Sequence, residues 1–179
     1  MNILHSIDRS KIQPDHFYAC IEIPAGSSNK YEIDHETGCL VLDRVLYTAT
    51  HYPHNYGFIP RTWGNDEDPL DVLVICSAPL VPLALCRCYP IGILSMNDSG
   101  ESDSKIIAIC ENDPLYNSFK DIKDLPPHVF DEIEHFFKHY KELENFKDTV
   151  IEGIHGVEKA KSTIKRAIKR YEEKFPEYL

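Results

Sequence analysis

The segment Asp66-Glu67-Asp68-Pro69-Leu70-Asp71 places four acids within six residues, directly before the apolar β-branched run Val72-Leu73-Val74-Ile75. That run reads as a buried strand, so the charge is anchored against a core and not carried on a loose tail. Two like charges about 4 Å apart repel by roughly 1 kcal/mol in water and about 4 kcal/mol at an effective dielectric near 20, and convergence multiplies the pairs. A folded chain tolerates such crowding when cations sit among the acids. Asp66 and Asp68 are two apart and point the same way in an extended segment, Pro69 keeps Asp68 out of the helical region, and Asp71 reaches the same place from the base of the strand. Carboxylate-rich, all-oxygen ligation suits Mg²⁺, Mn²⁺ or Ca²⁺ and not zinc. A calcium loop of EF-hand type fails on spacing, because its fifth and sixth positions are here Leu70 and Asp71. Taken alone, the stretch also reads as a solvated acidic turn.

With 179 residues, 42% of them hydrophobic, and 8 Phe and 10 Tyr, the chain can fill a real core, and residues 1–179 are expected to form a single domain. A formal net charge of -10 argues against nucleic-acid and anionic-membrane surfaces, which are bound mainly through clustered Lys and Arg. The first residues have no apolar core of signal-peptide length, and no run approaches the roughly 20 residues that span a bilayer, so a cytoplasmic protein is expected. Six cysteines (Cys20, Cys39, Cys76, Cys86, Cys88, Cys110) lie among strand-like runs with no Cys-x-x-Cys pair, which favours reduced thiols over disulfides or zinc.

Along the chain, Phe17 to Pro24, Lys30 to Asp34 and Cys39 to Asp43 read as strands, the last two joined by a hairpin-like Glu36-Thr37-Gly38 link. Tyr52-Pro-His-Asn-Tyr-Gly-Phe-Ile-Pro60 reads as a turn-rich aromatic segment. Further strands are expected at Val72 to Cys76, Leu85 to Leu94 and Lys105 to Cys110. From Pro127 the period becomes helical: Val129, Ile133, Phe136, Phe137, Tyr140 and Leu143 share one face, and a second helix runs from about Val157 to Lys174. Strands followed by two long helices predict an α+β fold, a small closed or partly closed barrel with helices packed against it.

A second acid pair, Asp98 and Asp103, flanks Gly100 shortly before Lys105. Alone it reads as a solvated hairpin tip. Together the two clusters read as opposite walls of one site with more carboxylates than one Mg²⁺ needs. Two ions about 3.5–4 Å apart can share a carboxylate and lower the pKa of a bridging water from about 15.7 toward neutrality, a recipe for phosphoryl transfer to water. Phosphate needs donors as well: Lys30, Arg44, Lys105 and Lys141 as cations, and Tyr52, Tyr56 and Tyr140 as hydroxyls. The plain alternative for Lys30 and Arg44 is salt bridges to Glu32 and Asp43 on neighbouring strands.

The blocks Ile21-Glu-Ile-Pro24, Lys30-Tyr-Glu-Ile-Asp34, Asp43-Arg44, Tyr52-Pro-His-Asn-Tyr-Gly57, Asp66-Glu-Asp-Pro-Leu-Asp-Val-Leu-Val74, Asp98 with Asp103 and Lys105, and His135-Phe-Phe-Lys-His-Tyr-Lys141 resemble the soluble family I inorganic pyrophosphatases in order and spacing. The resemblance implies a five-stranded OB-like barrel flanked by helices, Mg²⁺-dependent hydrolysis of pyrophosphate, and, for a short member, a hexamer. It implies Asp68 as the base that takes a proton from the attacking water. Asp66, Asp71 and Asp103 would hold the two activating ions, Asp98 and Asp103 a third, and Glu32 a fourth. Lys30, Arg44, Tyr56, Lys105, Tyr140 and Lys141 match phosphate-binding positions, and Glu22 and Tyr52 match positions lining the cavity. Mn²⁺ is the expected substitute ion, and Ca²⁺ an inhibitor because of its looser coordination.

Three positions depart from the family pattern: Glu67 and Leu83 stand where Gly is usual, and Tyr89 where Arg is. Glu67 is expected to point away from the site, since neighbours in an extended segment face opposite sides. His135 and His139 have a spacing that suits zinc, but similar bacterial enzymes place such a pair at a subunit interface, which would make the oligomer pH-sensitive. The rival readings are an OB-type module binding single-stranded nucleic acid on its aromatics, and a divalent-cation-binding OB-type module without hydrolase activity.

Overall fold

The structure, a computed structural model, describes residues 2–145 and 149–179. Its strands are β1 (Phe17–Ile23), β2 (Asn29–Ile33), β3 (Leu40–Val45), β4 (Asn55–Phe58), β5 (Asp71–Ile75), β6 (Leu85–Asp98), β7 (Glu101–Ser102), β8 (Lys105–Cys110) and β9 (Thr149–Gly156). The α-helices are α1 (Ile3–Ser6), α2 (Pro127–His139) and α3 (Val157–Lys174). Five strands close into a ring in the order β1-β4-β5-β8-β6, with β6 pairing back onto β1. This is the α+β architecture that the strand-then-helix pattern predicts, OB-like as the resemblance implies, with β2 and β3 forming a separate two-stranded sheet.

The pair β5 and β8 is parallel and covered on both faces, so both strands are continuous apolar runs and not alternating ones. Val72, Val74, Ile106 and Ala108 pack in one cluster with Ala160, Ile164 and Ala167 of α3. Leu73, Ile75, Ile107 and Ile109, pointing the other way, pack with Ile133, Phe136 and Phe137 of α2. At roughly 1.5–3 kcal/mol for each fully buried large apolar side chain, these two clusters are what clamp the helices to the sheet.

Three strands went unforeseen: the two-residue β7 in a polar hairpin, and two longer ones. Pro53 and Gly57 gave Asn55–Phe58 the look of a turn, yet it is β4, fully buried. Gly57 is there because β1 passes so close that a Cβ would stand 1.9 Å from the Cys20 carbonyl oxygen. Thr149–Gly156 pairs with β6 from Gly92 to Asp98, through a bulge at Ser95 and Met96, and its half-exposed, Gly-containing sequence shows no clean alternation. The first long helix also ends sooner than its apolar spacing suggests: Tyr140 caps it and is buried, but Leu143 lies beyond its end, exposed. All six cysteines are free.

Candidate active site

The register of β5 on β8 pairs Val72 with Ile106, which sets Asp71 beside Lys105 at the mouths of two adjacent parallel strands. Asp103 lies two residues before Lys105. The Lys105 ammonium donates to Asp71 Oδ2 and to Asp103 Oδ1, each at 2.6 Å, and is only 3% exposed. Burial opposes its charge, but Asp71, Tyr56 and Asp103 outweigh that and hold its pKa well above the ordinary lysine value. Burial conversely raises the pKa of Asp71, against the pull of Lys105.

Asp66 and Asp68 sit on a turn closed by the Gly64 N–H donating to the Asp68 carbonyl at 2.7 Å. A side chain at Gly64 would meet Asp66 Oδ1 at 2.3 Å, so glycine is what lets Asp66 lie over the turn. Burial, with Asp71, Asp103 and Asp68 nearby, pushes the Asp66 carboxyl up to about 6. Between these two acids, Glu67 adopts φ 62° and turns outward to Lys174, whose Nζ is 3.7 Å from its Oε1. Glu67 does face away from the site, but through a left-handed turn and not through the alternation of an extended segment, and that backbone explains why Gly suits the position.

The β2–β3 hairpin forms another wall. Lys30 and Arg44 are register partners across it. Lys30 Nζ donates to Glu32 at 3.0 Å and to Asp43 at 2.9 Å, and Arg44 pairs with Asp43 and with Glu144 at 3.1 Å. The salt bridges named as the plain alternative therefore exist, inside the site. At the end of α2, Lys141 donates to Asp98 at 2.6 Å. Asp98 and Glu101 flank a tight hairpin whose two central residues, Ser99 and Gly100, both have positive φ, 56° and 91°, the handedness that two-residue hairpins favour.

These walls enclose one cleft of about 610 Å³ lined by Glu22, Lys30, Glu32, Tyr56, Asp66, Asp68, Asp71, Asp103, Lys105, Tyr140 and Lys141. The remaining three expected residues do not line it: Asp98 touches the lining at Lys141 and Tyr52 at Tyr56, the two rings 5.3 Å apart, while Arg44 is linked to Lys30 only through Asp43, itself outside the lining. Glu22 is buried, accepts the Ile33 N–H at 2.8 Å, and is pushed by burial up to about 8. Residues not anticipated are Asp34, His35 and Glu36 in the lining. The alternation Lys30, Glu32, Asp34 along one strand face was a readable signal for Asp34. His35 carries none; it reaches Asp68 only because the hairpin folds over, with Nε2 3.7 Å from Oδ1.

The donor set is oxygen throughout and fits a hard divalent cation, and burial, then the neighbouring acids, holds the Asp66 carboxyl up. Among the described residues no three such side chains stand close enough to chelate an ion as they are, and the Lys105 ammonium holds the gap between Asp71 and Asp103.

A family model described as inorganic pyrophosphatase matches residues 19–172. An inorganic pyrophosphatase of Aquifex pyrophilus is 46% identical over 163 residues, 90% of this chain and 92% of that one. Soluble inorganic pyrophosphatase 2 of Chlamydomonas reinhardtii is 44% identical over 96% of this chain and 88% of its own. Among solved structures, the inorganic pyrophosphatase of Thermus thermophilus superposes with a TM-score of 0.91 at 38% identity, covering 95% of this chain and 99% of that one. With this cleft, this ring of strands and these relatives, the chain belongs to the soluble family I inorganic pyrophosphatases, hydrolases of a family that depends on divalent metal.

Proposed function

We propose that the chain hydrolyses inorganic pyrophosphate to two orthophosphates, using Mg²⁺ held by Asp66, Asp71 and Asp103, with further ions at Asp98 with Asp103 and at Glu32. The observation that carries this reading is the meeting of Asp66, Asp71, Asp103 and Lys105 in one cleft. Bound there, divalent ions supply Lewis acidity and make hydroxide available near neutral pH.

Asp68 is the proton acceptor. Its side chain is 66% exposed and, among the described residues, pairs with the His35 ring and not with a lysine or arginine, which leaves it open to take a proton from the attacking water. Lys30, Arg44, Lys105 and Lys141 each hold a carboxylate, so a phosphate group entering the cleft takes over cations already in place, and the carboxylates it displaces would be left for the divalent ions to neutralise. Tyr56 and Tyr140 add hydroxyl donors, and Glu22 and Tyr52 brace the floor. Phosphoryl transfer rests on such positioning and charge neutralisation.

The test is phosphate release from pyrophosphate with and without Mg²⁺. Asp68→Asn and Asp71→Ala are expected to lose about 100-fold or more in turnover, the scale of a lost general base, while keeping the fold. Near-normal turnover in both refutes the assignment. Mn²⁺ substitutes in this reading, and Ca²⁺ inhibits through its looser 6–8-fold coordination. A non-hydrolytic OB-type module is not favoured, because the family is one of hydrolases.

The protein acts in the cytoplasm in this reading; among the described residues no helix is long and apolar enough to cross a membrane. It forms a homohexamer, with His135 and His139 on α2, ring centroids 4.5 Å apart, at a subunit contact. Equal sedimentation at pH 5.5 and pH 8 counts against that placement of the histidines.

A further inference from the structure

Four of the six thiols meet at the end of the ring opposite the acidic cleft. Cys76 follows β5, Cys86 and Cys88 lie on β6, and Cys110 ends β8, while Asp71 and Lys105 begin β5 and β8. Cys86 and Cys88 are two apart on one strand face, with Sγ atoms 3.7 Å apart. Cys110 is the direct cross-strand partner of Cys88. The neighbouring pair is hydrogen-bonded, the Glu111 N–H donating to the Arg87 carbonyl at 2.9 Å. Hydrogen-bonded and non-hydrogen-bonded pairs alternate along an antiparallel ladder, so Cys88 and Cys110 form the close kind, with Cα atoms about 4.5 Å apart. That separation falls inside the roughly 4.4–6.8 Å window of natural disulfides.

We propose that Cys86, Cys88 and Cys110 form a peroxide-oxidisable thiol site that closes a reversible Cys88–Cys110 disulfide. The Cys86 thiolate attacks one oxygen of hydrogen peroxide; the O–O bond breaks, hydroxide leaves and takes up the proton that Cys86 lost on ionising, giving water, and Cys86 becomes a sulfenic acid. Cys110 attacks that sulfur and expels hydroxide, which its own proton converts to water. Cys88 then displaces Cys86 from Cys110, and the Cys88 proton returns to Cys86. Two thiols are oxidised to one disulfide and one peroxide is reduced to two waters.

Cys86 is the thiol that starts the sequence, because hydrogen bonds from Cys88 and then Cys110 favour its thiolate against burial. Cys88 itself is fully enclosed, and burial raises it; burial likewise raises Cys110. The site is nearly closed, Cys86 being 7% and Cys110 8% exposed, so it admits a small neutral peroxide and excludes a bulky disulfide such as oxidised glutathione. Cys39, the exposed thiol among the described residues, is remote on the β2–β3 hairpin and is removed as Cys39→Ser to suppress linkage between chains.

The experiment treats this full-length Cys39→Ser protein with hydrogen peroxide and maps disulfides by mass spectrometry without reduction. Expected is a single Cys88–Cys110 linkage, reversed by dithiothreitol, with no glutathione adduct under oxidised glutathione. Cys110→Ala abolishes it; Cys86→Ala slows it about tenfold or more while giving the same pair, as loss of the reactive thiolate requires. Circular dichroism confirms that each variant is folded, and Cys88→Ala replaces Cys110→Ala where the latter is not. Reduced thiols under peroxide that oxidises free cysteine, a different pair, or an unchanged rate in Cys86→Ala overturns the proposal.

Discussion

Lys105 Nζ stands 2.6 Å from Asp71 Oδ2, across two parallel strands whose first residues they are. With Asp103 at the same distance on its other side, one enclosed ammonium offsets two carboxylates. The net negative charge left in the cleft, with Asp66 beside it, is what favours divalent ions, and the ammonium is what keeps the ion-free fold tolerable.

Lys105→Met removes that counter-charge. Breaking a buried pair from one side costs about 3–5 kcal/mol, and the lower end is expected because Asp71 and Asp103 stay partly exposed, at 28% and 20%. Divalent cations should restore part of the loss. Denaturant unfolding with EDTA and with Mg²⁺ checks this; a deficit that is equal in both conditions contradicts it.

Asp66 couples ion binding to pH. Its carboxyl, pushed up to about 6 by burial and then by Asp71, Asp103 and Asp68, keeps its proton into the range where ordinary aspartates have lost theirs. An ion must displace that proton, so divalent affinity falls as pH drops from 7 to 5. Calorimetry in two buffers of different ionisation enthalpy should register proton release near pH 6 that disappears in Asp66→Asn.

Glu22 makes folding itself pH-dependent. Burial raises it from the ordinary 4.5 to about 8, so the folded state holds a proton that the unfolded chain releases. Its contribution is complete below pH 4.5 and is lost as pH rises through about 8, at most about 1.4 kcal/mol per pH unit between. Glu22→Gln, isosteric and neutral, should flatten this slope in metal-free urea unfolding between pH 5 and 8. A slope identical to that of the parent protein excludes Glu22 as its source.

The acids were legible because each lies next to an apolar strand or a tight turn, where charge without a purpose is costly. The lysines and tyrosines were legible as phosphate donors only beside the acid clusters and through the family resemblance, since each alone reads as a solvated cation or a half-buried aromatic. What stayed hidden depends on pairing at a distance. Gly57 looked like a turn residue, though its role is to let Cys20 pass. The strand Thr149–Gly156 exists because β6 is long enough to hold a further partner, and nothing in its own half-exposed pattern says so. His35 enters the site through the folding of the hairpin, so it is plain only once the register of Lys30 on Arg44 is known.

Glu67 and Leu83 carry the last prediction. Both occupy positions where the resemblance calls for Gly, and both have left-handed backbones, φ 62° and 71°. A residue with a Cβ loses roughly 1–2 kcal/mol in that region, whereas Gly adopts it freely and gives back about 0.5–1 kcal/mol through its more mobile unfolded chain. Little contact opposes the exchange: Leu83 is 46% exposed and the Glu67 side chain 78% exposed. The surface pair with Lys174, at 3.7 Å, contributes at most about 1 kcal/mol. Leu83→Gly should therefore raise stability by about 0.5–1 kcal/mol and leave turnover alone, with Glu67→Gly gaining the same or less. Raised urea midpoints at an unchanged slope check both; a lowered midpoint in Leu83→Gly means that its side chain packs more than its exposure implies, and that strain does not govern the turn.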